Sequence, residues 1–128
     1  MSIRVASEAE SIKKVRDLVS VAFRGMGCSE ETVHLGATVA TELATNAYRH
    51  AAVAGFGIVA RTYDSEDGPV IEVWDASDQA PEVQAVDFVA ESGRGLLLME
   101  ALVTCWGYTL LGTGGKVVWA AVRTDDGT

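Results

Sequence analysis

The chain is poor in the residues that build disulfide scaffolds, metal clusters and broken backbones: its 128 residues include two cysteines, two histidines and two prolines. Cys28 and Cys105 belong to no CxxC or Cys/His cluster, so ordinary reduced residues are expected rather than a disulfide or redox pair. His34 and His50 are too few and too scattered for a zinc site. With a hydrophobic share of 48% and so little proline, global disorder is not expected. No apolar run approaches the roughly 20 residues of a membrane-spanning helix. The opening MSIRVASEAESIKKVRDL lacks the apolar centre of a secretory signal. The expectation is one soluble, cytoplasmic domain with no membrane association, long enough to bury a real core.

Positive charge is the other scarcity. The formal net charge is −8, which argues against non-specific nucleic-acid binding, since that needs a basic face. Between Arg61 and Arg94 there is no Lys or Arg, while Asp64, Glu66, Asp67, Glu72, Asp75, Asp78, Glu82, Asp87 and Glu91 all fall there. A phosphate-bearing ligand in this half would need backbone amides and a divalent cation for most of its positive potential.

What is present is a clear change of period. Ile12, Val15, Leu18, Val19 and Ala22 recur at helical spacing and predict a helix over 8–24, with Ser7 as N-cap and Glu10 closing a capping box. GMGC (25–28) breaks it. Ser29 caps a second helix running to about Ala52, with Glu30 and Glu31 where the helix dipole favours acids. Val33, Gly36, Ala37, Ala40, Leu43, Ala44, Ala47 and Ala51 form its stripe, mostly of small residues that allow close packing. FGIVARTYD (56–64) and PVIEVWD (69–75) then read as strands around the turn SEDG. A polar connection over 76–92 leads to ESGRG, a short helix LLLMEALVT, and strands WGYTLLG and KVVWAAVR joined by TGG. The order α-α-β-β-loop-α-β-β predicts an α+β two-layer sandwich, with helices on one face of a mixed sheet.

Four stretches could carry chemistry. On the second helix, with Glu42 at zero, Asn46 lies at about 40° and Arg49 at about −20°, while the apolar stripe centres near 160°. This predicts one polar patch of Glu42, Asn46 and Arg49 facing away from the packing face, with His50 nearby. A solvated face would prefer Lys, Glu or Gln to Asn on helix propensity. An Asn oxygen can hold a divalent cation without adding charge, and a Glu one turn earlier can accept a proton or orient water. Asp75 ends an apolar strand, so its carboxylate either caps the following turn or accepts a hydrogen bond from an exocyclic amine. In SGRGLLLME (92–100) two glycines flank Arg94 before a helix, an arrangement that can receive an anion, although a Gly-rich helix entry is itself common. It is neither a Walker A motif nor a Rossmann fingerprint. GTGGKVVW (112–119) reads most simply as a hairpin turn.

In order and spacing, ExxxNAxxHA, then DxSDxxP, then GRGLxLM, then GGKxVW resembles the GHKL (Bergerat-fold) ATPases over residues 7 to 123. Within them it is most similar to the small anti-sigma-factor serine/threonine-protein kinases of bacteria. The resemblance implies that ATP and Mg²⁺ are bound, with Asn46 ligating the metal and Glu42 acting as general base. It implies that Asp75 reads the adenine amine, that Gly93, Arg94, Gly95 and Leu96 wrap the phosphates beside Arg49, and that 78–92 form an ATP lid. It further implies a homodimer that sequesters a sigma factor and phosphorylates an anti-anti-sigma (STAS-type) antagonist. Three features depart from the family pattern: Ser77 replaces a glycine, the lid is acidic, and Val117 stands where many members carry a threonine near adenine. An inert partner-binding regulator of the same fold is the alternative. An ATPase domain serving a histidine kinase fits less well, because the sequence offers no histidine-bearing dimerisation helices.

Overall fold

The computed structural model describes residues 1–6, 9–50, 57–76, 101–112 and 114–124, with the side chains of 49 and 50 left aside. Its elements run β1 (Ser2–Ala6), α1 (Ala9–Gly25), α2 (Glu30–His50), β2 (Gly57–Tyr63), β3 (Val70–Asp75), β4 (Val103–Leu110) and β5 (Lys116–Val122). The five strands form one sheet in the order β1-β2-β3-β5-β4. Every described pairing is antiparallel, so the expected mixed sheet is in fact antiparallel. Both helices lie on one face, and the α+β two-layer expectation holds.

The helices form where their apolar stripes place them, and the Ser7 N-cap expected for α1 lies outside the described residues. The Ser29 hydroxyl accepts the Thr32 amide at 3.1 Å, satisfying one of the free donors of the first turn of α2. At the end of α1, Gly27 takes a φ of 87°, which suits a residue without Cβ as the chain turns towards Ser29. Val15, Val19 and Phe23 of α1 pack with Val39, Ala40, Leu43 and Ala44 of α2 over Ile58, Ala60, Ile71, Val73, Val118 and Ala120 of the sheet. Gly36 lets α2 approach α1 closely, because a Cβ there would lie 2.7 Å from Cδ2 of Phe23.

Two element boundaries differ from the sequence reading. SIRVA, which the sequence reading assigned to no element, is the edge strand β1. It has only Ile3 and Val5 to alternate inward and takes its register from β2. Val103 and Thr104, expected to be helical, belong to β4. Their β-branched side chains suit a strand, and a bulge between Val103 and Cys105 lets the strand join β5. The helix preceding β4 ends at Leu102. The SEDG turn is closed as expected by paired bonds between Ser65 and Gly68, each 3.1 Å.

The opposite face of the sheet carries a polar and aromatic network. Glu72 accepts from the Tyr63 hydroxyl at 2.8 Å and from Trp74 Nε1 at 3.1 Å, with Arg61 at 3.6 Å. The bond to Glu72 first, and burial second, hold the Tyr63 phenol above its ordinary pKa. Neither Cys28 nor Cys105 forms a disulfide. Among the described residues, no helix is long and apolar enough to cross a membrane.

Candidate functional site

The topology sorts the two ends of the domain. Met26, Gly27 and Cys28, at the start of α2, share a cleft of about 600 Å³ with the turn residues Asp64 to Pro69. The opposite end therefore gathers the last turns of α2, the start of β2, the end of β3 at Asp75 and the start of β5 at Lys116. Although the cleft at the turn is spacious, Asp64, Glu66 and Asp67 on its rim would repel phosphates. The chemistry-bearing residues lie at the other end.

Asn46 does not face away from the core, as its position on the helical wheel suggested. It is buried, at 7% exposure. The cause is a second inward row at steps of seven, Thr32, Val39 and Asn46, which widens the buried sector of α2 beyond the small-residue stripe. The Asn46 Oδ1 oxygen has no hydrogen-bond partner among the described residues. Leaving a buried amide oxygen unsatisfied costs about 1–3 kcal/mol, which a bound cation or water would recover. Glu42, one turn earlier, is half-buried and borders a small cleft with Arg16, His34, Thr38 and Thr41. The predicted three-residue solvent patch is therefore replaced by a buried Asn46 beside a partly accessible Glu42.

Asp75 is where the strand alternation puts it, on the helix-facing side with Ile71 and Val73. Its carboxylate does not emerge at the edge of the core. It is fully enclosed and paired with Lys116, whose Nζ lies 3.2 Å from Oδ1 and 2.9 Å from Oδ2. Asp75 and Lys116 are direct partners in the β3–β5 ladder, and both side chains have 0% exposure. Gly115, at φ 93°, makes this approach possible: a Cβ there would sit 2.5 Å from the Asp75 carbonyl oxygen.

The same ladder places neighbouring residues of the GGK segment on opposite faces of the sheet. Val117 points to the face opposite the helices, while Lys116 shares the inward face with Val118, Ala120 and Val122. The residue beside Asp75 is Lys116, not Val117. The sequence signal was available: an inward-facing Lys at the head of an apolar strand needs a buried acid, and alternation puts it in phase with Val118.

Arg49 lies on α2, but its side chain falls outside the described residues, as do Ser77, the lid at 78–92, and Gly93, Arg94, Gly95 and Leu96. The residues that are described fit an adenine nucleotide and its cation. Asn46 offers an unsatisfied neutral oxygen, Asp75 a fixed acceptor, and both stand at one end of the sheet.

Residues 5–122 match the family model of the histidine kinase-like ATPase domain. No curated protein matches the chain. Among solved structures, the chain is similar to the RsbU and RsbW domains of Rv1364c from Mycobacterium tuberculosis, at 19% identity and a TM-score of 0.68. That match covers 97% of this chain and 32% of the other, so this chain spans about a third of its length. It is also similar to a chain of the SiaB–SiaC complex from Pseudomonas aeruginosa, at 14% identity and a TM-score of 0.60, covering 96% of this chain and 89% of that one. At such identities these structures speak for the fold, while the family model accounts for nearly the whole chain. The chain belongs to the histidine kinase-like ATPase domain family, whose members bind ATP.

Proposed function

We infer that this domain is an ATP-dependent anti-sigma regulator with serine-protein kinase activity. The observation that carries the reading is the buried Asn46 Oδ1, without a hydrogen-bond partner among the described residues, on the same helix as Glu42 and at the end of the sheet where Asp75 stands. Such an oxygen is poorly explained by packing and well explained by a ligand. The matched solved structures support the direction: one contains an RsbW domain, the other a complex of SiaB with SiaC.

Asn46 would hold the Mg²⁺, which neutralises phosphate charge when bound. Asp75 would accept from the adenine amine, and Glu42 would take the proton from the attacking serine hydroxyl. In phosphoryl transfer, positioning and charge neutralisation supply most of the acceleration, so few side chains are required. Arg49 and the Gly93–Arg94–Gly95–Leu96 segment would line the phosphates. The partners proposed are a sigma factor and a STAS-type antagonist, with the domain acting as a cytoplasmic homodimer and making no direct nucleic-acid contact.

One observation favours the alternative, a regulator that binds partners without transfer: the Asp75 carboxylate is already engaged by Lys116. Transfer of labelled γ-phosphate to a co-expressed antagonist separates the two. The kinase reading expects transfer by the wild type and loss of it in Glu42→Ala with ATP binding retained. Complex formation without transfer establishes the binder, and normal transfer by Glu42→Ala removes Glu42 as the base.

A further inference from the structure

Lys116 is buried to 0% exposure at the nucleotide end of the sheet. An ammonium carries three N–H donors, and buried donors are almost always satisfied. One is donated to Asp75 Oδ1 at 3.2 Å, while Oδ2 lies 2.9 Å from Nζ as an ion-pair contact. Among the described residues, Nζ has no hydrogen-bond acceptor besides Asp75. Full burial also keeps bulk water from serving it. A lone buried ion pair gains little net stability, because desolvation offsets most of the attraction, so stability alone is a weak reason for this Lys. A donor and an acceptor held side by side on neighbouring strands do match the edge of a base.

We propose that Lys116 is a specificity-determining residue for the base, donating to the adenine N1 nitrogen an N–H that Asp75 does not accept, while Asp75 accepts from the exocyclic amine. The inference rests on the nucleotide reading above and goes beyond it, since that reading gives Lys116 no role. Adenine presents a donor and a bare ring nitrogen side by side, complementary to the carboxylate–ammonium pair. Guanine carries hydrogen on N1 and an oxygen on C6, so its edge reverses this order and sets a donor against the ammonium. The pair therefore selects adenine by both halves, with Lys116 rejecting a protonated N1.

Direct binding by calorimetry tests this with ATP, 1-deaza-ATP (which lacks only the N1 nitrogen) and GTP, on the wild type and on Lys116→Met. A hydrogen bond to a charged donor predicts that the wild type binds ATP about tenfold to a hundredfold more tightly than 1-deaza-ATP. Lys116→Met should bind the two equally and should lose part of its preference over GTP. The wild-type comparison stands whether or not the variant folds, and Lys116→Gln, which keeps an N–H donor, should retain part of the discrimination. Equal wild-type affinity for ATP and 1-deaza-ATP, unchanged discrimination in Lys116→Met, or tighter binding of GTP than ATP would each overturn the role of Lys116. Absence of ATP binding by the wild type would overturn the nucleotide reading with it.

Discussion

At the scale of single residues, Asn46 is the most informative position, because it is costly twice over. It lowers helix propensity relative to Ala by several tenths of a kcal/mol, and its buried oxygen lacks a hydrogen-bond partner among the described residues. Asn46→Ala removes both costs at once. The expected outcome is a domain equally stable or more stable, by about 1 kcal/mol, that no longer shows Mg²⁺-dependent stabilisation by ATP. Chemical denaturation and a thermal series with nucleotide check the two halves separately. A large loss of stability in this variant would mean that Asn46 is a structural residue. The sequence pointed to Asn46 through its poor fit to a helix, but misplaced it on the solvent side. A wheel drawn from the small-residue stripe omitted Val39, and Val39 shares its azimuth with Asn46.

At the scale of elements, the close approach of α1 and α2 depends on Gly36, which the ring of the fully buried Phe23 covers. Gly36→Ala gains helix propensity but forces the ring to move. Overpacking of this kind typically costs about 1–3 kcal/mol and should lower the urea midpoint. A midpoint that rises would show that the ring yields freely. The junction of the same helices carries an exposed ion pair, with Arg24 Nη2 at 3.0 Å from Glu30 Oε1. The hydrogen bond from Arg24 holds the Glu30 carboxyl below its ordinary range. A depressed carboxyl contributes stability above its unfolded-state pKa and loses it as the pH falls through the folded value. Melting temperatures measured between pH 6 and pH 3 should therefore fall slightly less steeply in Glu30→Gln than in the wild type. The difference should be small, because the pair is solvent-exposed and screened. The Ser29 cap, the SEDG turn and the long strands were legible from local rules. β1 and the start of β4 were not, because an edge strand with two inward residues, and a strand entered directly from a helix, become strands only through a partner.

At the scale of the whole molecule, the domain places its charges unevenly. The rim at the β2–β3 turn is acidic, and the net charge is −8, so nucleotide phosphates gain nothing from the long-range field. Binding should depend on the cation and on local donors. ATP with Mg²⁺ at about 100 times its dissociation constant should add about 2.7 kcal/mol and raise the melting temperature by several degrees. ATP without Mg²⁺ should do so weakly, and Asp75→Asn should lose the preference for adenine over guanine. No shift at millimolar ATP would leave a fold that retains the motifs as scaffold and acts through its surface.

The sequence by itself determined the two long helices, the SEDG turn and the two-layer class, because capping, hydrophobic period and turn chemistry act over a few neighbouring residues. It also carried the order of motifs that the family match over residues 5–122 bears out. Tertiary structure alone decided that Asn46 is buried, since the width of a packed face depends on what covers it. Only the ladder between β3 and β5 decided that Lys116, 41 residues away in sequence, closes on Asp75. Local patterns record which face a side chain takes, but the partner it meets there is set by strand order and register, and these exist only once the sheet has formed.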